Sequence, residues 1–270
     1  MFQPIIETIL GPIFAQLSRW VGEPIPAYPW TTLSSVFAAL ALSIRVVDES
    51  SWGSVGLAAG AWRARALCLG LLVGAAAIGS TFLLLWATGA RVEPSVLRDS
   101  VGLRPWAATA GRITLLLAPA ALWEELVFRG YLWTVAEDAG GVTLARWTTA
   151  LAFGVVHLLN PGAGFLSTLL VTIAGFGLGA VRQASGSIVA AWLAHLTWNW
   201  LMAAVLHVPV SGVSFDTPGY RMVMQGPEWW TGGAWGPEGG AAAFLVMTGA
   251  LLLNIRGDAW RHFRARSGSK

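Results

Sequence analysis

Charge and sulfur are both scarce in this chain. Asp, Glu, Lys and Arg make up 11% of its 270 residues, against roughly a quarter in soluble domains. That excludes a water-soluble globule, and the apolar content excludes a disordered chain. The single cysteine, Cys68, stands in an apolar run, so neither a disulfide framework nor a cysteine-based zinc site can be built. No basic stretch precedes the first apolar residues and Glu7 sits among them, which argues against a cleavable signal peptide. No convincing internal repeat is found, which weighs against a transporter of duplicated halves. A basic stripe suited to nucleic acid is missing too. The one local excess is the tail with Arg256, Arg261, Arg264, Arg266 and Lys270, and such tails flank membrane spans on the cytoplasmic side. No nucleic-acid partner is expected.

What is present is apolar: 55% of the chain is hydrophobic and the mean hydropathy is +0.61. The stretch 67–87 is uncharged and long enough to cross ~30 Å of hydrocarbon at 1.5 Å per residue. Further spans are expected at 33–47, 107–136, 145–159, 165–181, 188–208 and 241–255. The first apolar segment, with Pro12 inside, reads either as an amphipathic helix in the interface or as a degraded span. The expected fold is therefore all-α, a polytopic membrane bundle of six to eight helices whose partner is the lipid bilayer. Placing the C-terminus in the cytoplasm puts ten basic residues inside, namely Arg45, Arg63, Arg65, Arg146, Arg182 and the five of the tail. Five fall outside, Arg19, Arg91, Arg98, Arg104 and Arg221, and the bias favours that orientation, with the plasma membrane the expected location.

Polar residues inside apolar spans are costly and mark functional sites. One expected span carries Glu124, Glu125 and Arg129, the next Phe153 and His157, and a third His195 and Asn199. Glu125 and Arg129 are four apart and share a helix face, so an ion pair between them is expected. Glu124 lies about 100° away on the wheel and is left for other work. His195 and Asn199 also share a face, and Phe153 can pack beneath the His157 ring. Counted from the expected helix ends, Glu124 and His157 lie ~18 Å deep and His195 ~11 Å deep. Each residue alone has a plainer use: a self-neutralising ion pair, an interior histidine, an Asn gluing helices. His207 and His262 read as a span end and a tail residue.

The succession Glu-Glu-x-x-x-Arg, Phe-x-x-x-His and His-x-x-x-Asn on consecutive membrane helices resembles the CAAX protease and bacteriocin-processing family. These are intramembrane endopeptidases, and they include the type II CAAX prenyl endopeptidases. The resemblance covers roughly 103–208. It divides the chain into N-terminal membrane or interfacial helices (1–102), a catalytic core (103–208), and a Trp- and Gly-rich loop with a last helix and basic tail (209–270). It implies that Glu124 and His157 polarise a water for attack on a peptide carbonyl. His195 and Asn199 would donate to the oxyanion, and Glu125 with Arg129 would brace the site. The substrate implied is a membrane-associated peptide or protein, with no requirement that it be prenylated. Two histidines and a glutamate also form a zinc-capable set. Zinc on Glu124, His157 and His195 is therefore an expectation beside metal-free attack, although no His-Glu-x-x-His occurs. The alternatives are a catalytically silent scaffold using the same cluster as helix glue, and a proton or solute transporter. The loop 209–240, rich in tryptophan, reads as an interfacial aromatic mat or, more sharply, as a lid over the cavity.

Overall fold

The computed structural model describes residues 3–21, 27–94, 102–215, 217 and 219–252. The basic tail, Arg98, Asp216, Pro218 and the stretch beyond Leu252 of the last expected span lie outside the described residues. Helix α1, Gln3–Val21, contains Pro12. It is not among the helices long and apolar enough to cross a membrane. It is joined to α2, Ala27–Leu42, by stacking of Phe14 on Trp30 at 6.3 Å.

Five described helices have the length and composition of membrane spans: Ala27–Val47, Ala64–Ala87, Leu103–Leu159, Phe165–Ser185 and Ile188–Leu206. The third is 57 residues long, far more than one crossing needs. It comprises α4, Leu103–Glu125, a wide π-helical stretch at Leu126–Leu132, and α5, Trp133–Val156. Within α5 the backbone breaks at Gly140 and Gly141, the latter at φ 77°, a conformation glycine adopts without steric cost. Phe128 and Phe153 meet edge-to-face at 5.3 Å, whereas on one straight helix they would stand ~37 Å apart. The segment therefore folds back as a hairpin and makes two passes, matching the two separate spans expected from sequence.

Helix α3, Ala64–Ala87, approaches α7, Ile188–Trp200, closely enough that a Cβ at Gly70 or Gly74 would run into the carbonyls of Ala190 or Ala194. Small residues at such crossings allow backbone contact between membrane helices. Helix α6, Phe165–Ser185, ends on Gly186 in the left-handed conformation, and Ser187 immediately caps α7 by accepting from the Val189 and Ala190 amides. This two-residue reversal aligns α6 and α7 side by side. Helices α4 and α7 run antiparallel, sewn by indole bonds from Trp192 to the Ala118 carbonyl at 2.9 Å and from Trp106 to the Ala204 carbonyl at 2.8 Å.

One feature lies outside the all-α expectation. A short antiparallel ribbon pairs β1, Arg91–Pro94, with β2, Tyr220–Val223, and ties the loop after α3 to the segment 207–240. A single turn, α8 at Glu228–Thr231, and α9 at Ala241–Leu252 complete the described chain.

Candidate active site

Glu124 and Glu125 are the last two residues of α4, where the helix widens into its π-helical stretch. Such stretches recur at functional sites because they re-aim side chains within a continuous helix. Glu125 and Arg129 are both fully buried and pair at 3.0 Å, as their spacing predicted. The guanidinium also donates to the Gly175 carbonyl on α6 at 3.1 Å and lies 4.2 Å over the Phe153 ring. Arg129 thus ties the α4–α5 hairpin to α6. Its own carbonyl accepts from Arg182 Nε at 3.1 Å. By its position in the sequence Arg182 reads as a loop charge, yet the residue is buried.

His195 reaches the cluster from α7, with Nδ1 3.0 Å from Glu125 Oε1. A carboxylate only accepts, so Nδ1 carries the proton and Nε2 faces away from Glu125. His157, at the C-terminal end of α5, has Nδ1 2.7 Å from the Phe153 carbonyl, which likewise fixes the donor at Nδ1. Phe153 lies beneath both rings, with centroids 4.5 Å from His157 and 5.8 Å from His195. The two Nε2 atoms converge on one oxygen, Glu124 Oε2, at 4.0 Å each. Glu124 is not engaged by the Glu125 and Arg129 pair, and its Oε2 is a buried oxygen without a direct hydrogen-bond partner.

A cavity of about 270 Å³ runs between α3, α6, α7 and α9. His157, His195 and Asn199 line it, while most of its remaining wall is apolar. Asn199 stands one turn beyond His195 on the same face, as expected. All six residues singled out from the sequence are therefore gathered where α4, α5 and α7 meet. The donors of a tetrahedral zinc with ~2.0–2.1 Å bonds stand roughly 3.3 Å apart. Here Glu124 Oε2 is 4.0 Å from each Nε2, and no group of three His, Cys, Asp or Glu that could hold a metal occurs among the described residues. As placed, these distances are wider than those of a tetrahedral zinc site.

The lid reading of 209–240 points to the cavity but not to the residues that reach it. Trp235 is buried in a cluster with Phe128, Phe153 and Val171, directly behind the site. Ser211 and Glu238 line the cavity opposite the membrane helices. The segment is closed on itself by the Gly212 amide on the Trp235 carbonyl at 3.0 Å. Gly212 also leaves no room for a Cβ against the Pro161 carbonyl, and Gly236 none against that of Pro209. Trp229 is exposed as an interfacial residue would be, but Trp235 is not. The segment is a fitted wall of the cavity, and only part of it has the character of an aromatic mat.

Fold and site together define an integral membrane protein with a half-buried Glu, His and Asn cluster at a cavity between apolar helices. Residues 106–201 match the family model described as type II CAAX prenyl endopeptidase Rce1-like. The match runs from the first turn of α4 to the end of α7 and includes every one of the six residues. It supports an intramembrane CAAX-type endopeptidase in general. No curated protein and no solved structure matches the chain significantly.

Proposed function

We propose that the chain hydrolyses a peptide bond within a membrane-associated peptide or protein, with Glu124 as general base. The observation that supports this is the convergence of two imidazole Nε2 atoms on Glu124 Oε2 at 4.0 Å each. A water hydrogen-bonded to both the carboxylate and an imidazole fits that separation. Glu124 takes the water proton as the water oxygen bonds to the carbonyl carbon, with His157 Nε2 orienting the water. The carbonyl oxygen becomes an oxyanion, stabilised by the Asn199 amide and by His195 Nε2–H in its imidazolium form. The C–N bond then breaks, and Glu124 returns the proton to the leaving amine. Glu125 and Arg129 are positioning residues: Glu125 holds His195 by Nδ1, and Arg129 holds Glu125. The apolar cavity strengthens each of these interactions by excluding water.

The C-terminus is proposed to lie in the cytoplasm, on the distribution of basic residues. The test of the reaction is Glu124→Gln, which keeps shape and most hydrogen bonding. Turnover of quenched fluorescent peptides by the reconstituted protein should fall ~10²- to 10⁴-fold, with the melting temperature and peptide affinity little changed. Unchanged turnover would refute the assignment and return the cluster to the role of helix glue.

A further inference from the structure

Glu238 is a buried carboxylate that the reaction above does not use. Only 8% of it is exposed, and it borders the same cavity as His157, His195 and Asn199. Its Oε1 accepts from the backbone amide and from the hydroxyl of Ser211, each at 2.5 Å. Its Oε2 accepts from the indole of Trp198 at 3.1 Å, the residue next to Asn199 on α7. A carboxylate offers about four acceptor positions, so one on Oε2 is left for a further donor. All three donors present are neutral, and no described Lys, Arg or His comes within ion-pair distance of Glu238. An ionised carboxylate buried without a counter-charge is unfavourable.

The rest of the cavity deepens the imbalance. Glu125 is neutralised by Arg129, but neither Glu124 nor Glu238 has an Arg or Lys partner. The cavity wall around Glu238 is otherwise mostly aliphatic, with Val73, Leu170 and Leu178 among its residues. Such a cavity suits a side chain that is aliphatic along its stem and cationic at its tip. Arg and Lys have that form, and both can donate to a single carboxylate oxygen.

We propose that Glu238 is the specificity-determining residue of the cavity, and that the substrate is a peptide presenting a Lys or Arg side chain to it close to the scissile bond. The inference rests on the endopeptidase reading and names its substrate class. Glu238 and Ser211 come from the segment 207–240, outside the stretch that matches the family model, so this preference belongs to the chain's own loop.

The test uses full-length protein reconstituted in lipid nanodiscs and a set of quenched peptides in which one residue is scanned as Lys, Arg, norleucine or citrulline. The wild type should cleave the best Lys or Arg peptide with kcat/KM ~10- to 100-fold above its neutral isostere, the worth of a charge-assisted hydrogen bond in a buried site. In Glu238→Gln that ratio should fall towards one through a raised KM for the basic peptide. Should Glu238→Gln fail to fold, judged by gel filtration and melting, the wild-type ratio alone decides. Equal cleavage of basic and neutral peptides by the wild type overturns the proposal and leaves the hydrolase reading intact. A basic preference that survives in folded Glu238→Gln overturns the assignment to this residue. If no peptide is cleaved the hydrolase reading falls instead, and equal binding of Lys and norleucine peptides then overturns the proposal independently.

Discussion

Replacing Arg129 by Met keeps an unbranched stem of similar length in the same buried channel and removes only the charge and its donors. Arg129 and Glu125 are both fully buried, 3.0 Å apart, so the substitution strands a carboxylate with no cation in a low-dielectric interior. Breaking a buried pair from one side costs ~3–5 kcal/mol, and the lost bond to the Gly175 carbonyl adds ~1 kcal/mol. Against a total stability of ~5–15 kcal/mol, Arg129→Met alone should lower the melting temperature of the purified protein severely. Glu125→Gln alone leaves the guanidinium stranded and should cost about as much, ~3–5 kcal/mol. The double variant leaves no unpaired charge. It should be more stable than the sum of the single losses predicts, by a coupling of at least ~2 kcal/mol. The assay is reversible unfolding of the four proteins in one detergent, arranged as a double-mutant cycle. A coupling below ~0.5 kcal/mol, with single losses as large as expected, would show that each side chain acts through other contacts and that the pair does not brace the site. The double variant should still turn over slowly when folded, because His195 has lost the carboxylate that orients it.

The remaining predictions concern the chemistry and the outer loop. Asn199→Ala should lower kcat by ~10²- to 10³-fold with KM nearly constant, as expected for a donor that acts mainly on the developing oxyanion; an effect confined to KM would move Asn199 to substrate binding. Activity should survive exhaustive chelation, since the donors around Glu124 are spread beyond zinc spacing; a loss restored by added zinc, with stoichiometric metal by elemental analysis, would overturn that reading. Tyr220 lies outside the membrane-spanning helices, and burial raises its phenol above the ordinary 10.0. Its contribution to stability is thus complete below pH 10 and is lost as pH rises through the raised folded value. Tyr220→Phe should therefore unfold at higher alkaline pH than the wild type, and an unchanged alkaline limb would show that the phenol does not titrate with unfolding.

The helical spans, their approximate limits and the residues of the candidate site were legible along the chain, because each depends on local order. A membrane span announces itself by length and apolarity. A four-residue spacing puts Glu125 beside Arg129, and His195 in line with Asn199, whatever surrounds them. The break between the two passes of 103–159 was also local: the expected spans stop at 136 and resume at 145, and the backbone turns between them at Gly140 and Gly141. What spacing along one helix cannot give is the meeting of helices. That Glu124 faces both imidazoles while Glu125 takes His195 by its other nitrogen follows from the crossing of α4, α5 and α7. That crossing is set by the Trp192 and Trp106 indole bonds between α4 and the α7 segment and by the Phe128 and Phe153 contact across the hairpin. Arg182 looked like a loop charge because a lone arginine near a helix end carries no periodic signal, and only the packed structure buries it against Arg129. Glu238 lay still further from view. Its place beside the cavity depends on how 207–240 folds back over the helices, held by glycines packed against carbonyls and by Trp235. No period in the sequence encodes such a loop, and contacts between distant segments alone decide where its carboxylate comes to rest.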